Sequence, residues 1–156
     1  MQREEYEEAK VHLERSLALN PNDADAFAIM GFYREGIGRP EAAIDCYRTA
    51  MRLNPYYPAW YLWKLGDVHF GARQYEEALI PLKEALSRGP KLKRPRLTLA
   101  AAYAQLDRIE EARREVEKLF TDHPDASIEQ ERQSKFTSDE AREHWIGALR
   151  KAGLPE

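Results

Sequence analysis

Apolar and polar positions alternate along most of the chain with the period of a helix. Between residues 75 and 88, Ala78, Leu79, Leu82, Ala85 and Leu86 fall at i, i+1, i+4, i+7 and i+8, one apolar stripe on a helix of 3.6 residues per turn. The stripe recurs upstream in Ala43, Ile44, Tyr47, Ala50 and Met51, and downstream in Ala112, Val116, Leu119 and Phe120. Prolines punctuate the pattern at Asn20-Pro21, Asn54-Pro55, Gly89-Pro90 and His123-Pro124, spaced by 34, 35 and 34 residues. A proline cannot continue a helix, so each ends one and redirects the chain.

Small residues keep the same interval. Gly31, Gly66 and Ala100 share one register, Ala43, Ala78 and Ala112 a second, and Ala50, Ala85 and Leu119 a third. Helices cross closely only where a side chain is no larger than Ala, so these are close-packing points between paired helices. Tyr6, Pro40, Tyr75 and Ile109 open the second helix of each pair. The periodicity predicts an all-α solenoid of antiparallel helix pairs. Its units span 24–57, 58–92 and 93–126, and residues 1–23 supply only the second helix of a preceding unit. The one-residue difference in spacing falls in Pro55-Tyr56-Tyr57-Pro58, a loop where insertion is cheap. Pro81, inside a predicted helix, is expected to kink it.

Residues 127–156 leave the repeat. Ser127-Ile128-Glu129-Gln130 and Thr137-Ser138-Asp139-Glu140 have capping-box spacing and predict a short helix and a final one over about 138–152, with Ala141, Trp145, Ala148 and Leu149 on one face. Gly153 reads as the left-handed residue after that helix, Leu154 folds back on Leu149, and Pro155 prevents continuation. This helix is expected to cap the apolar end of the solenoid.

Composition adds exclusions. Ala, Glu, Leu, Lys and Arg make up 80 of 156 residues, against only 3 Val, 7 Ile and 4 Thr, too few β-branched residues for a multi-stranded sheet. No apolar run reaches the length of a membrane span, and the acidic start does not read as a signal peptide. With the single Cys46 unable to form an internal disulfide, a cytoplasmic protein is expected. A net charge of -3 offers no electrostatic reason to bind nucleic acid.

The small residues, aromatics and closing prolines at a 34-residue interval resemble the tetratricopeptide repeat, a helix-turn-helix unit. A narrower resemblance covers essentially the whole chain. The run Ala50 to Pro58 with Trp60-Tyr61 and Leu65-Gly66, the run Leu99 to Leu106, and the ending Leu149 to Glu156 resemble the C-terminal repeat region of bacterial adenylate/guanylate cyclase-like proteins. No activity carries over from it, because the cyclase domain's metal-binding aspartates and base-recognising residues have no counterpart here. What it implies is a regulatory or assembly role in bacterial signalling.

The repeat resemblance also implies which positions face inward on the first helices. They are Asp25, Ala28, Ile29, Phe32 and Glu35; then Trp60, Trp63, Lys64, Asp67 and Phe70; then Arg94, Leu97, Thr98, Ala101 and Gln105. Partner contacts are expected at Phe32, Glu35, Trp60, Trp63, Lys64, Asp67, Phe70, Arg94, Thr98 and Gln105. The family's clamp for a C-terminal carboxylate has Lys and Asn where this chain has Ala28 and Phe32, so that clamp is missing, and Arg94 alone keeps a basic residue. The aromatic cluster reads as a hot spot for a peptide or protein partner. It reads equally as core, or as a surface covered by the chain's own C-terminal segment. The helix within residues 1–23 has an unpaired side, which implies homodimerisation or further chain upstream.

No catalytic or cofactor chemistry is legible. His12, His69, His123 and His144 lack metal-ligand spacing, and Glu140 with His144 reads as a surface pair one turn apart. Cys46 reads as an inert helical thiol, and Gly36-Ile37-Gly38 as a turn rather than a phosphate loop. Glu4, Glu5, Glu7 and Glu8 suit the positive end of a helix dipole. Arg88, Lys91, Lys93, Arg94 and Arg96 form an acid-free stretch, either a solvated loop or a dock for an acidic segment. The expectation is a non-enzymatic interaction module with no metal and no cofactor.

Overall fold

The computed structural model describes residues 3–156, with side chains from Glu5 onward, so Glu4 of the early acidic run lies outside the described side chains. The described helices are α1 (Arg3–Leu19), α2 (Ala24–Gly36), α3 (Pro40–Leu53), α4 (Ala59–Gly71), α5 (Tyr75–Arg88), α6 (Lys93–Gln105), α7 (Ile109–Asp122), α8 (Ile128–Arg132) and α9 (Asp139–Ala152). The hairpins α2/α3, α4/α5 and α6/α7 stack in order, and α1 packs on α2 as α3 packs on α4.

One turn closes all three hairpins. Gly38, Arg73 and Asp107 hold positive φ of 73°, 63° and 58° at equivalent places. The next N–H then returns to the helix: Arg39 to the Arg34 carbonyl at 2.8 Å, Gln74 to His69 at 2.9 Å, Arg108 to Tyr103 at 2.9 Å. Only the first hairpin meets the left-handed region with glycine; the other two accept roughly 1 kcal/mol of strain each.

Close approach inside the hairpins explains the small residues. A Cβ on Gly66 would lie 2.5 Å from Leu82 Cγ, and one on Gly31 would lie 3.0 Å from the Tyr47 ring. Leu82 and Tyr47 are fully buried there, and burying a Leu side chain contributes about 2 kcal/mol. Ala43, Ala78 and Ala112 sit fully buried on the facing helices. α5 runs from Tyr75 to Arg88 without a break at Pro81, whose ring is buried in the core.

The largest apolar cluster joins α4 to α7 with α9 and includes Phe70, Leu97, Leu119, Trp145, Ile146 and Leu149. Towards the N-terminus the core thins to Met30, Tyr33 and Cys46, against which Tyr6, Leu13 and Leu17 of α1 are only partly covered. Burial raises the Cys46 thiol above its ordinary range, as suits an inert side chain.

The C-terminal segment follows its sequence signals. Ser127 accepts the Gln130 N–H at 3.3 Å, and Ser138 accepts the Ala141 N–H at 3.0 Å. Gly153 has φ 98°, and the Leu154 N–H returns to the Leu149 carbonyl at 3.0 Å. Leu154 is buried. α9 packs chiefly on α6, with α8 and α7 also against it.

The basic stretch is not a free dock. Arg94 pairs with Asp67 at 3.0 Å, Arg96 with Glu115 at 2.6 Å, and Lys93 with Glu131 at 3.3 Å. Arg88 pairs with Glu84. Four of the five cations are therefore committed within the fold, and Lys91 stands exposed.

Candidate binding groove

α2, α4 and α6, the first helices of the three hairpins, line one face, and the inward positions divide by depth. Ile29 and Phe32 of α2 are 49% and 50% exposed, unusual for large apolar side chains. Glu35, Trp60, Trp63, Lys64, Arg94 and Gln105 are half-buried. Asp67, Phe70 and Thr98 are buried and not free to meet a partner, which corrects the expectation that they form an open face. Ala28, Leu97 and Ala101 lie beneath the surface as packing residues.

What buries the C-terminal half of this face is α9. His144 stacks on Phe70 with ring centroids 4.7 Å apart, and Trp145 meets Phe70 edge-on at 5.6 Å. The Arg94 guanidinium lies 4.2 Å over the Trp145 ring while its Nε donates to Asp67 at 3.0 Å. The Thr98 hydroxyl donates to the other Asp67 oxygen at 2.6 Å, so both carboxylate oxygens are satisfied. The Trp145 indole N–H donates to Glu131 at 3.3 Å. A buried carboxylate such as Asp67 needs complete partnering of this kind to be tolerated.

His144 is therefore not a surface partner of Glu140. Its Nε2 is hydrogen-bonded with the Tyr75 hydroxyl at 2.9 Å, and Glu140 turns instead to Arg73 at 3.3 Å. Burial first, then the Arg73 charge, lowers the imidazole to about 4, so the ring is neutral at ordinary pH.

The N-terminal half is open. Lys64 crosses the groove, its ammonium 4.6 Å over the Phe32 ring and 3.5 Å from Glu35. Burial pushes the Glu35 carboxyl above its ordinary range, with Asp67 adding to the rise and Lys64 opposing it. Trp60 packs edge-on against Tyr61 at 4.5 Å, and the Tyr61 hydroxyl donates to Asp25. The rings of α9 meet Phe70 and Tyr75; Trp63 packs against the cluster that α9 joins, and Trp60 against the one between α2 and α4.

Between the halves lies a cavity of ≈ 380 Å³. Glu35 lines it from α2, Asp67, Val68 and Phe70 from α4, and Lys135 to Ser138 line it together with Glu140, His144 and Trp145. Residue types and spacing pointed to the α2, α4 and α6 members. Phe136, His144 and Trp145 were missed as groove residues. Trp145 was legible as an apolar position on the final helix, but nothing local in the sequence says which face that helix meets. No cluster of His, Cys, Asp and Glu among the described residues has the arrangement of a metal site. No described helix is long and apolar enough to cross a membrane.

Family models described as the tetratricopeptide repeat match residues 24–57 and 69–130. A search of curated protein sequences returned no match. Among solved structures, MamA (41-end) from Desulfovibrio magneticus RS-1 is 21% identical, with a TM-score of 0.74 over 94% of this chain and 85% of that one. YrrB, described as a TPR protein with an unusual peptide-binding site, is 21% identical, with a TM-score of 0.71 over 96% and 77%. The first TPR of Spaghetti (RPAP3), bound to the HSP90 peptide SRMEEVD, is 20% identical, with a TM-score of 0.62 over 82% and 94%. At these identities the likeness is one of fold.

Proposed function

Because the chain belongs to the tetratricopeptide repeat proteins, we propose that it is a non-catalytic interaction module that holds a peptide or protein segment in the open half of its groove. The observation that carries this is the exposure of Ile29 and Phe32 beside half-buried Trp60 and Trp63. Large rings that lose few torsions on binding make strong anchors. YrrB and Spaghetti lend support as relatives in fold described with peptide sites. Partner contacts are assigned to Phe32, Trp60, Trp63, Lys64 and Glu35, with Arg94 and Gln105 at the margin. The test is selection of a random displayed peptide library on the intact protein, followed by titration of the enriched peptides against Phe32→Ala and Trp63→Ala. At least tenfold weaker binding with unchanged melting supports the reading. Equal affinity for both variants refutes it.

The tail from Leu149 to Glu156 favours a second reading by its resemblance to cyclase-like proteins, in which this chain is the regulatory repeat portion of a cytoplasmic bacterial signalling protein. The reading frame upstream of Met1 tests it, and a contiguous cyclase domain is the result expected. Self-association is proposed through α1, where Val11 and Leu19 are 61% and 80% exposed. Light scattering that finds only monomer at high concentration would remove that proposal.

A further inference from the structure

Glu35 is an acid of the groove held by a single long ion pair. Asp67 has Arg94 and Thr98, and Glu140 has Arg73. Among the described residues the sole hydrogen-bonding partner of Glu35 is Lys64, at a long 3.5 Å, and its burial raises the cost of holding a charge there. The same Lys64 ammonium lies over the Phe32 ring, so it keeps that contact when the carboxylate takes another partner.

The cavity beside Glu35 is lined by rings and a carboxylate together. Phe136, half-buried on the segment ahead of α9, offers an apolar wall. A side chain that suits both must carry a long apolar stem and a positive head, as Lys and Arg do. Other cations nearby do not fill the role: Arg73 and Arg94 line the cavity but are paired with Glu140 and Asp67, and Lys135 is exposed on the segment ahead of α9.

We propose that this cavity is a socket for one Lys or Arg side chain of the bound partner, with Glu35 as counter-ion and Phe136 against the stem. The socket rests on the open-groove reading and adds to it the chemistry of one partner residue. It also gives the C-terminal segment a part in recognition, because Phe136 lies outside the repeats. A neighbouring apolar residue of the partner would rest on Phe32, one turn before Glu35 on the same face of α2.

The test uses the intact chain and a positional-scanning peptide library built on the sequences enriched in the display selection, read by fluorescence polarisation. The expected result is one position that selects Lys or Arg at least tenfold over norleucine, a preference lost in Glu35→Gln and weakened in Phe136→Ala. Glu35→Gln keeps the size of the side chain and removes a charge the fold does not favour, so its melting temperature should match the parent. Peptides that bind without a preferred cation, or a preference that survives Glu35→Gln, overturn the socket and leave the groove standing. Absence of any peptide whose binding depends on Phe32 or Trp63 overturns both.

Discussion

The two halves of the groove are built from equivalent positions of one repeat and come to opposite ends. In the C-terminal half, Asp67, Arg94 and Thr98 form a closed polar set beneath Trp145, and Phe70 is stacked under His144. In the N-terminal half, Phe32 occupies the position equivalent to Asp67, and it stands half exposed under a single lysine. The repeat thus sets where side chains point, and the non-repeating segment decides which of them remain available. A ring at an inward position stabilises the fold where α9 covers it and is free to serve binding where α9 does not.

The largest expected effect comes from breaking the closed half. Trp145→Ala removes contacts to Phe70, Arg94 and Glu131 at once and should cost about 3–5 kcal/mol, measured by urea denaturation. Phe32→Ala, an equally large truncation in the open half, should cost under ~1 kcal/mol because half of the ring already faces water. Equal losses in the two variants would mean that the halves do not differ as described.

Much of this architecture was legible, and the reasons are local. Gly31, Gly66 and Ala100, the spaced prolines, and the start and stop signals of α9 each act on near neighbours, so their spacing alone reveals hairpins and ends. The groove's occupancy was not legible. His144 finds Tyr75 and Phe70 about seventy residues away, and Arg96 finds Glu115 across a hairpin; such pairings depend on how helices cross. For the same reason Glu140 and His144, adjacent on one helix, take different partners.

A smaller effect should appear with pH. The imidazole of His144 has its ordinary value of 6.5 when unfolded and about 4 in the closed half. The unfolded chain therefore binds a proton that the folded chain refuses between those values. The stability this group contributes is present above about pH 6.5 and is lost as pH falls towards 4. Solvent screening of a half-buried ring reduces the effect to roughly 1–2 kcal/mol. His69, lowered by burial despite its 2.7 Å contact with Gln74, acts in the same direction. Comparing His144→Phe with the parent across this range isolates the closed half, and the variant should show the flatter profile; parallel profiles would assign the dependence elsewhere.

The smallest effect concerns how the two ends are held. α3, α4, α5, α6 and α7 begin without a side-chain cap, at Arg39, Pro58, Gln74, Leu92 and Arg108. No side chain caps the first turn of these helices. α2 and α9, near the ends, carry Asp23 and Ser138, which accept the Ala26 and Ala141 N–H groups at 3.0 Å. In α2 and α9 the first turn is encoded locally, by the residue just before it. Ser138→Ala should therefore cost about 1 kcal/mol. The loss should appear as faster hydrogen exchange confined to the first turn of α9, with the α6 amides unchanged. Faster exchange spread evenly over α4, α6 and α9 would show that the cap belongs to the closed half as a unit rather than to one helix end.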